Sequence, residues 1–207
     1  MPLLPPITHP TGTRLHWWRD ADENGNLPPA ATQGNRKRDK EHAAERMLVE
    51  AAFGKQAELR HGAHGEPFIA SAADGSVICP RGHVSVSHTR GVVCLATDSQ
   101  HTIGIDTERI TPRTVKVRSK FLGEDEASLI PDSDAQANTI AWTAKEAMYK
   151  AALMPGIGLR DSLVITSTPQ AGHPYSGMAV CGGKTLKMTL STSITGQLVT
   201  TLATVVE

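Results

Sequence analysis

Three carboxylates and two lysines fall into two short runs of this 207-residue chain, Ile103-Gly-Ile-Asp106-Thr-Glu108 and Trp142-Thr-Ala-Lys145-Glu146-Ala-Met-Tyr-Lys150. Successive side chains of a strand alternate between faces, so Asp106 and Glu108 are expected on one side, about 7 Å apart, with Ile103, Ile105 and Thr107 on the other. A helix through the second run puts Glu146 and Lys150 one turn apart and gathers Ile140, Ala144, Ala147 and Ala151 into an apolar stripe. Each run alone fits ordinary surface as well: Glu at i with Lys at i+4 is a common solvent-facing pair, and alternating acids mark the wet face of a strand. Together they supply three hard oxygen donors and a cation. Oxygen-only ligation suits magnesium, which keeps several waters and takes one or two carboxylates plus substrate phosphates. A magnesium–diphosphate complex is therefore the expected ligand. The nine histidines contain no His-Glu-x-x-His, and Cys79, Cys94 and Cys181 come no closer than fifteen residues, so zinc is not expected.

The elements that must position these groups belong to a chain long enough for one domain or for two small joined halves. Twenty-one basic residues balance twenty-one acidic ones, which argues against nucleic acid or an anionic membrane as a partner. Three scattered cysteines suit a reducing compartment, so the expected location is the cytoplasm. The start, Met1-Pro-Leu-Leu-Pro-Pro-Ile, has no basic leader, and no window reaches the twenty apolar residues of a membrane span. A soluble, unprocessed protein is expected.

The stretch to Asn35 is rich in Pro and Gly, with a short strand possible at Leu15-His16-Trp17-Trp18. An amphipathic helix is predicted over 39–53, with Asp39 as N-cap, Ala43, Ala44, Met47, Leu48 and Ala51 on one face, and Gly54 beyond its end. Arg36, Lys37, Arg38 and Lys40 crowd its start, where the helix dipole disfavours cations; a bound phosphate would offset that, and so would simple solvation. Residues 62–82 read as loop. Strands follow at 84–88 and 92–97 around a turn at Thr89-Arg-Gly91, then a third carrying Asp106. Val117, Phe121 and Leu129 suggest helical structure between 115 and 129, and the strongest helix of the second half covers 137–153. Beyond Met154-Pro-Gly-Ile-Gly158, strands alternate with turns at Gly182-Gly183 and Thr195-Gly196. Gly182-Gly183-Lys184-Thr185 mimics the tail of a P-loop, but the position five residues before Gly183 is Met178, so a hairpin turn is expected there. The order of elements is that of an α+β protein.

With these residues laid out, the chain resembles the 4′-phosphopantetheinyl transferase superfamily, in its two-lobed type that activates surfactin-like synthetases. Gly104-Ile-Asp106-Thr-Glu108 looks like the family's Gly-Val/Ile-Asp-x-Glu strand, and Trp142-Thr-Ala-Lys145-Glu146-Ala-Met-Tyr-Lys150 like its Trp-x-x-Lys-Glu-x-x-x-Lys helix. Val84-Ser-Val-Ser87-His88 resembles its Ser-x-Ser-His strand, and Lys120-Phe-Leu-Gly-Glu-Asp-Glu126 its Phe-x-x-x-x-Glu segment. The resemblance spans about residues 36–153. It implies two related α+β lobes about a pseudo-two-fold axis, joined near Gln100, with 1–100 making the nucleotide contacts and 101–207 carrying the metal site and catalytic helix. Coenzyme A would lie in the cleft between them.

The implied activity is transfer of the phosphopantetheine arm of coenzyme A to a serine of an apo acyl or peptidyl carrier protein, releasing adenosine 3′,5′-bisphosphate. Asp106, Glu108 and Glu146 would hold magnesium on the diphosphate. Glu146, directly or through a metal-bound water, is the first candidate for deprotonating the serine, and Glu126 the second. Lys150 would contact the phosphates, Lys145 would assist electrostatically, and His88 and Arg46 would bind phosphates of the nucleotide portion. Trp142 is expected to pack. The two-lobed type acts as a monomer, which is the expectation here.

One departure stands out. Many relatives have Gly-Lys-Pro before the Ser-x-Ser-His strand, where this chain has Gly65-Glu66-Pro67. Either Lys40, Arg81 or Arg90 substitutes for that lysine, or the 3′-phosphate is held more weakly. Two rival functions use the same residues: a magnesium-dependent nucleotide-diphosphate hydrolase, and a non-catalytic coenzyme A or carrier-binding module.

Overall fold

The computed structural model describes residues 3–20 and 34–206, with side chains from Arg38 onward in the second stretch. The chain divides into two compact units, Met1–Gln100 and His101–Glu207, both mixtures of helix and antiparallel sheet.

In the first unit, strands β1 (Leu3–Thr8), β2 (Arg14–Arg19), β6 (Val84–Thr89) and β7 (Val92–Thr97) form a sheet ordered β1-β2-β7-β6. A second sheet is ordered β3 (Ala57–His61), β4 (Pro67–Ser71), β5 (Val77–Cys79). The region expected as loop therefore contains two strands. They are short and broken by Gly65 and Gly75, both at positive φ, so turn residues outweigh the strand signal there. Helix α1 (Gly34–Phe53) begins five residues before the expected N-cap, leaving Asp39 inside it. Its buried positions are Ala44, Leu48 and Val49, while Ala51 is exposed; they pack with Trp18, Ile69, Val84, Val93 and Leu95. Gly54, at φ 91°, ends the helix, the left-handed conformation that suits a residue without a Cβ. Arg36 and Lys37 carry side chains outside the described residues, and Lys40 pairs with Asp20 at 3.2 Å.

The second unit is one sheet of five strands ordered β8 (Ile103–Arg109), β12 (Leu198–Val206), β11 (Lys184–Thr195), β10 (Pro174–Cys181), β9 (Leu163–Ile165). Short helices α2 (Pro112–Val117) and α3 (Glu124–Ser128) precede the long helix α4 (Ala135–Ala152). The Asp134 carboxylate caps α4 by accepting from the backbone N–H of Gln136 and Ala137 at 2.8 and 3.0 Å. At its end Leu153 takes a left-handed conformation (φ 50°), just ahead of Met154-Pro155. The expected stripe of Ile140, Ala144, Ala147 and Ala151 is buried in the core with Met148, Leu163, Ile165, Met188, Leu190, Val199 and Ala203. Gly182 and Gly183, at φ 55° and 78°, turn β10 into β11, the double positive φ of a tight hairpin. The P-loop mimic is thus a hairpin. All three cysteines are free, and no helix among the described residues is long and apolar enough to cross a membrane.

Candidate active site

Helix α4 lies against β8 on the face of the even-numbered residues. A Cβ built on Gly104 would stand 2.1 Å from the Ala147 carbonyl oxygen and 2.6 Å from the Ala151 nitrogen, so strand and helix backbones touch there and only glycine fits. This contact sets the site. Asp106 follows two residues along the same strand face, and Glu146 and Lys150 flank the helix backbone at the contact. Lys150 Nζ donates to Asp106 Oδ1 and to the Ile105 carbonyl, both at 2.8 Å. Asp106 is buried, while Glu108, Glu146 and Lys150 are partly so.

The strand's faces differ from the expectation of one apolar and one acidic. Ile103, Ile105 and Thr107 are buried, but so are Gly104 and Asp106 on the other side. Asp106 lies on the face that α4 covers, beside Thr201, which is bonded to Thr143 of the helix.

Electrostatics tie the four groups together. Burial pushes the Glu146 carboxyl above the ordinary carboxylate range, Asp106 pushes it further, Lys150 opposes, and Glu108 adds to the rise. Three carboxylates thus share a region with one ammonium. A cluster of carboxylates of this kind suits a divalent cation. The described residues hold no ready-made cluster of three ligating side chains; the ammonium of Lys150 occupies one Asp106 oxygen. By chemistry the donor set fits a hard dication.

Glu126 and Lys145 lie elsewhere on α4's surroundings. Lys145 is 0% and Glu126 3% exposed, and they form an ion pair at 2.6 Å. The carboxylate also accepts from the backbone N–H of Ile165 at 2.6 Å and of Gly123 at 2.9 Å, while Lys145 also donates to the Leu163 carbonyl. Burial lowers the Lys145 ammonium, with Glu126 and Asp161 resisting. The acidic run at 124–126 therefore does not stand free in solvent throughout: Glu126 turns inward.

In the first unit His88 is exposed at the end of β6, opposite Val93, and Arg46 is exposed on α1. Glu66 binds Arg81 at 2.6 Å, and that hydrogen bond comes first among the causes holding its carboxyl down at about 2. Trp142 packs edge-on against Phe121, with ring centroids 5.2 Å apart at 82°.

Two supports of the site escape sequence reasoning. Buried hydroxyls form a chain in which Tyr175–Thr192 is 2.7 Å, Thr192–Thr201 2.8 Å and Thr201–Thr143 2.8 Å. It joins the sheet to α4 at Thr201, the cross-strand neighbour of Asp106. The phenol of Tyr175 is pushed up to about 12, first by burial. The other support is Arg118, whose guanidinium reaches Asn138 Oδ1 at 3.1 Å and the Ile130 carbonyl at 2.9 Å, holding the α3–α4 connection. Alternating threonines in β11 and β12 are the sole sequence trace of the first. No curated protein matches the chain. Residues 102–199, which hold Asp106, Glu108, Glu126, Lys145, Glu146 and Lys150, match the family model of the 4′-phosphopantetheinyl transferase superfamily, which supports the superfamily read from the motifs.

Proposed function

We propose that the protein transfers the 4′-phosphopantetheine arm of coenzyme A to a serine hydroxyl of an apo acyl or peptidyl carrier protein, with magnesium, releasing adenosine 3′,5′-bisphosphate. The observation that carries this is the shared electrostatic field of Asp106, Glu108, Glu146 and Lys150 inside the span matching the superfamily. On this proposal residues 1–100 are the lobe that contacts the nucleotide and 101–207 the lobe of the metal and the catalytic helix.

Asp106, Glu108 and Glu146 would hold the magnesium. When bound, the ion neutralises charge on the diphosphate and makes its bridging oxygen a better leaving group. The serine Oγ attacks the phosphorus that bears pantetheine, the phosphoanhydride P–O bond breaks, and its electron pair leaves with the bisphosphate. Glu146 takes the serine proton; a carboxyl raised toward neutrality is the better base for that transfer. Lys150, one turn on, donates to phosphate oxygens as charge builds on the leaving group. Exposed His88 and Arg46 supply donors for phosphates of the nucleotide portion. Glu66 holds Arg81 beside the loop where relatives carry a lysine, so Arg81 is the residue to substitute for it.

Release of the bisphosphate should depend on both magnesium and an apo carrier. Release that proceeds equally without the carrier would mean a hydrolase, and no release with any carrier would leave a binding module.

A further inference from the structure

We infer that the buried pair Glu126–Lys145 is a positioning device, which fixes the rotation of α4 so that Glu146 and Lys150 meet the acids of β8. The inference rests on the metal reading above. Glu126 accepts from three partners, the backbone N–H of Gly123 capping its own helix α3, Lys145 on α4 and the backbone N–H of Ile165 on β9, and Lys145 in turn donates to the Leu163 carbonyl of β9. Every one of these is inside the second unit, and the pair is shut off from solvent, so neither group can reach a substrate without unpacking the core.

The placement on the helix gives the pair its leverage. Consecutive helical residues point about 100° apart, so a side chain pinned at 145 dictates where 146 points. On another side of α4, Ala147 and Ala151 press on Gly104. Thr143 is bonded to Thr201. The glycine contact and the hydroxyl bond hold α4 against the sheet; both lie on its sheet-facing side and leave rolling about that contact open. Lys145 is held instead to Glu126 of α3 and to the Leu163 carbonyl of β9, the strand at the opposite edge of the sheet from β8, and so supplies the lateral tie. Buried polar pairs seldom add stability over apolar side chains of the same size, and specifying one arrangement is their best-attested use. Supports one step removed from metal ligands typically change affinity by 10–100-fold.

The test measures Mn²⁺ binding by calorimetry, beside thermal melting, for the parent, Glu126→Gln, Glu126→Gln/Lys145→Met and the core variant Met188→Ala. Met188 is buried in the same core, four register positions along β12 from Thr201 through its partner Val205. Expected is a loss of Mn²⁺ affinity of about tenfold or more in both pair variants, with none in Met188→Ala even where its melting temperature falls as far. Should the double variant not fold, Glu126→Gln, which keeps one acceptor for the backbone donors, carries the comparison. Parent-like affinity in the folded pair variants, or a loss in Met188→Ala that matches theirs, overturns the positioning role and leaves the metal reading intact. A parent that binds no Mn²⁺ overturns the metal reading, and this inference with it.

Discussion

Adding a single methyl at Gly104 tests whether the contact between β8 and α4 builds the site. The new Cβ would stand 2.1 Å from the Ala147 oxygen, and ordinary contact needs about 3.4 Å or more. Strand and helix must therefore part by about 1.3 Å, since both atoms involved belong to backbone or lie one bond from it. That displacement, added to the 2.8 Å Lys150–Asp106 bond, carries the pair to roughly 4 Å, beyond hydrogen-bond reach. Overpacking of this kind costs roughly 1–3 kcal/mol; with the lost ion-pair bond the total is about 2–4 kcal/mol. The melting temperature should fall by roughly 5–12 °C. A shift of this size between catalytic groups should cut arm transfer by about 100-fold. Gly177→Ala is the internal control: its Cβ would meet Met148 Cε and Sδ at 2.8 Å, the far end of a flexible side chain that can move aside. It should cost less than about 1 kcal/mol. Differential scanning calorimetry with Mn²⁺ titration reads both variants. Gly104→Ala melting within 2 °C of the parent, ~0.5 kcal/mol, with unchanged Mn²⁺ affinity would refute the reasoning.

Three further outcomes are expected. Glu146 has a folded-state pKa above its unfolded value, so it favours the fold at pH below the unfolded pKa and opposes it as pH rises through the raised one. Glu146→Gln should therefore melt roughly 1–3 °C higher than the metal-free parent at neutral pH, with the gap closing on acidification, while Mn²⁺ binding and transfer are lost; a lower melting point at neutral pH contradicts this. Lys150→Met removes the ammonium from Asp106 and should tighten Mn²⁺ binding by about tenfold, ~1.4 kcal/mol, while slowing transfer; weaker binding would mean that the lysine supports the ion instead of competing with it. Arg81→Ala should raise KM for coenzyme A but leave that for 3′-dephospho-coenzyme A unchanged, and equal effects on both would dismiss Arg81 as the 3′-phosphate contact.

How far the sequence spoke depended on how far apart the partners were along the chain. Helix α4, its apolar stripe and the paired strands β6 and β7 rest on local periodicity and were legible. The joining of Asp106 with Lys150 was legible only through the co-occurrence of the two runs and the family resemblance, since each run alone suits ordinary surface. Gly104 was visible as a motif residue, but its reason, a helix backbone pressed against it, needs the tertiary contact. Glu126 sits in an acidic run that locally suits solvent, and its partner Lys145 lies nineteen residues on, so its burial could not be read. The hydroxyl chain joins threonines 58 residues apart and leaves no local signature. In the first unit, β4 and β5 were hidden by the glycines of their own tight turns, and Asp39 imitated a cap in the middle of a longer helix.

The decisive measurement is the intact mass of a small panel of apo carriers incubated with the protein, coenzyme A and magnesium, with and without a chelator. One carrier should gain the mass of a single phosphopantetheinyl group on its serine, only with magnesium and not with Glu146→Gln. A panel of carriers left at their apo masses, beside a protein that binds the metal and coenzyme A, would contradict the transferase.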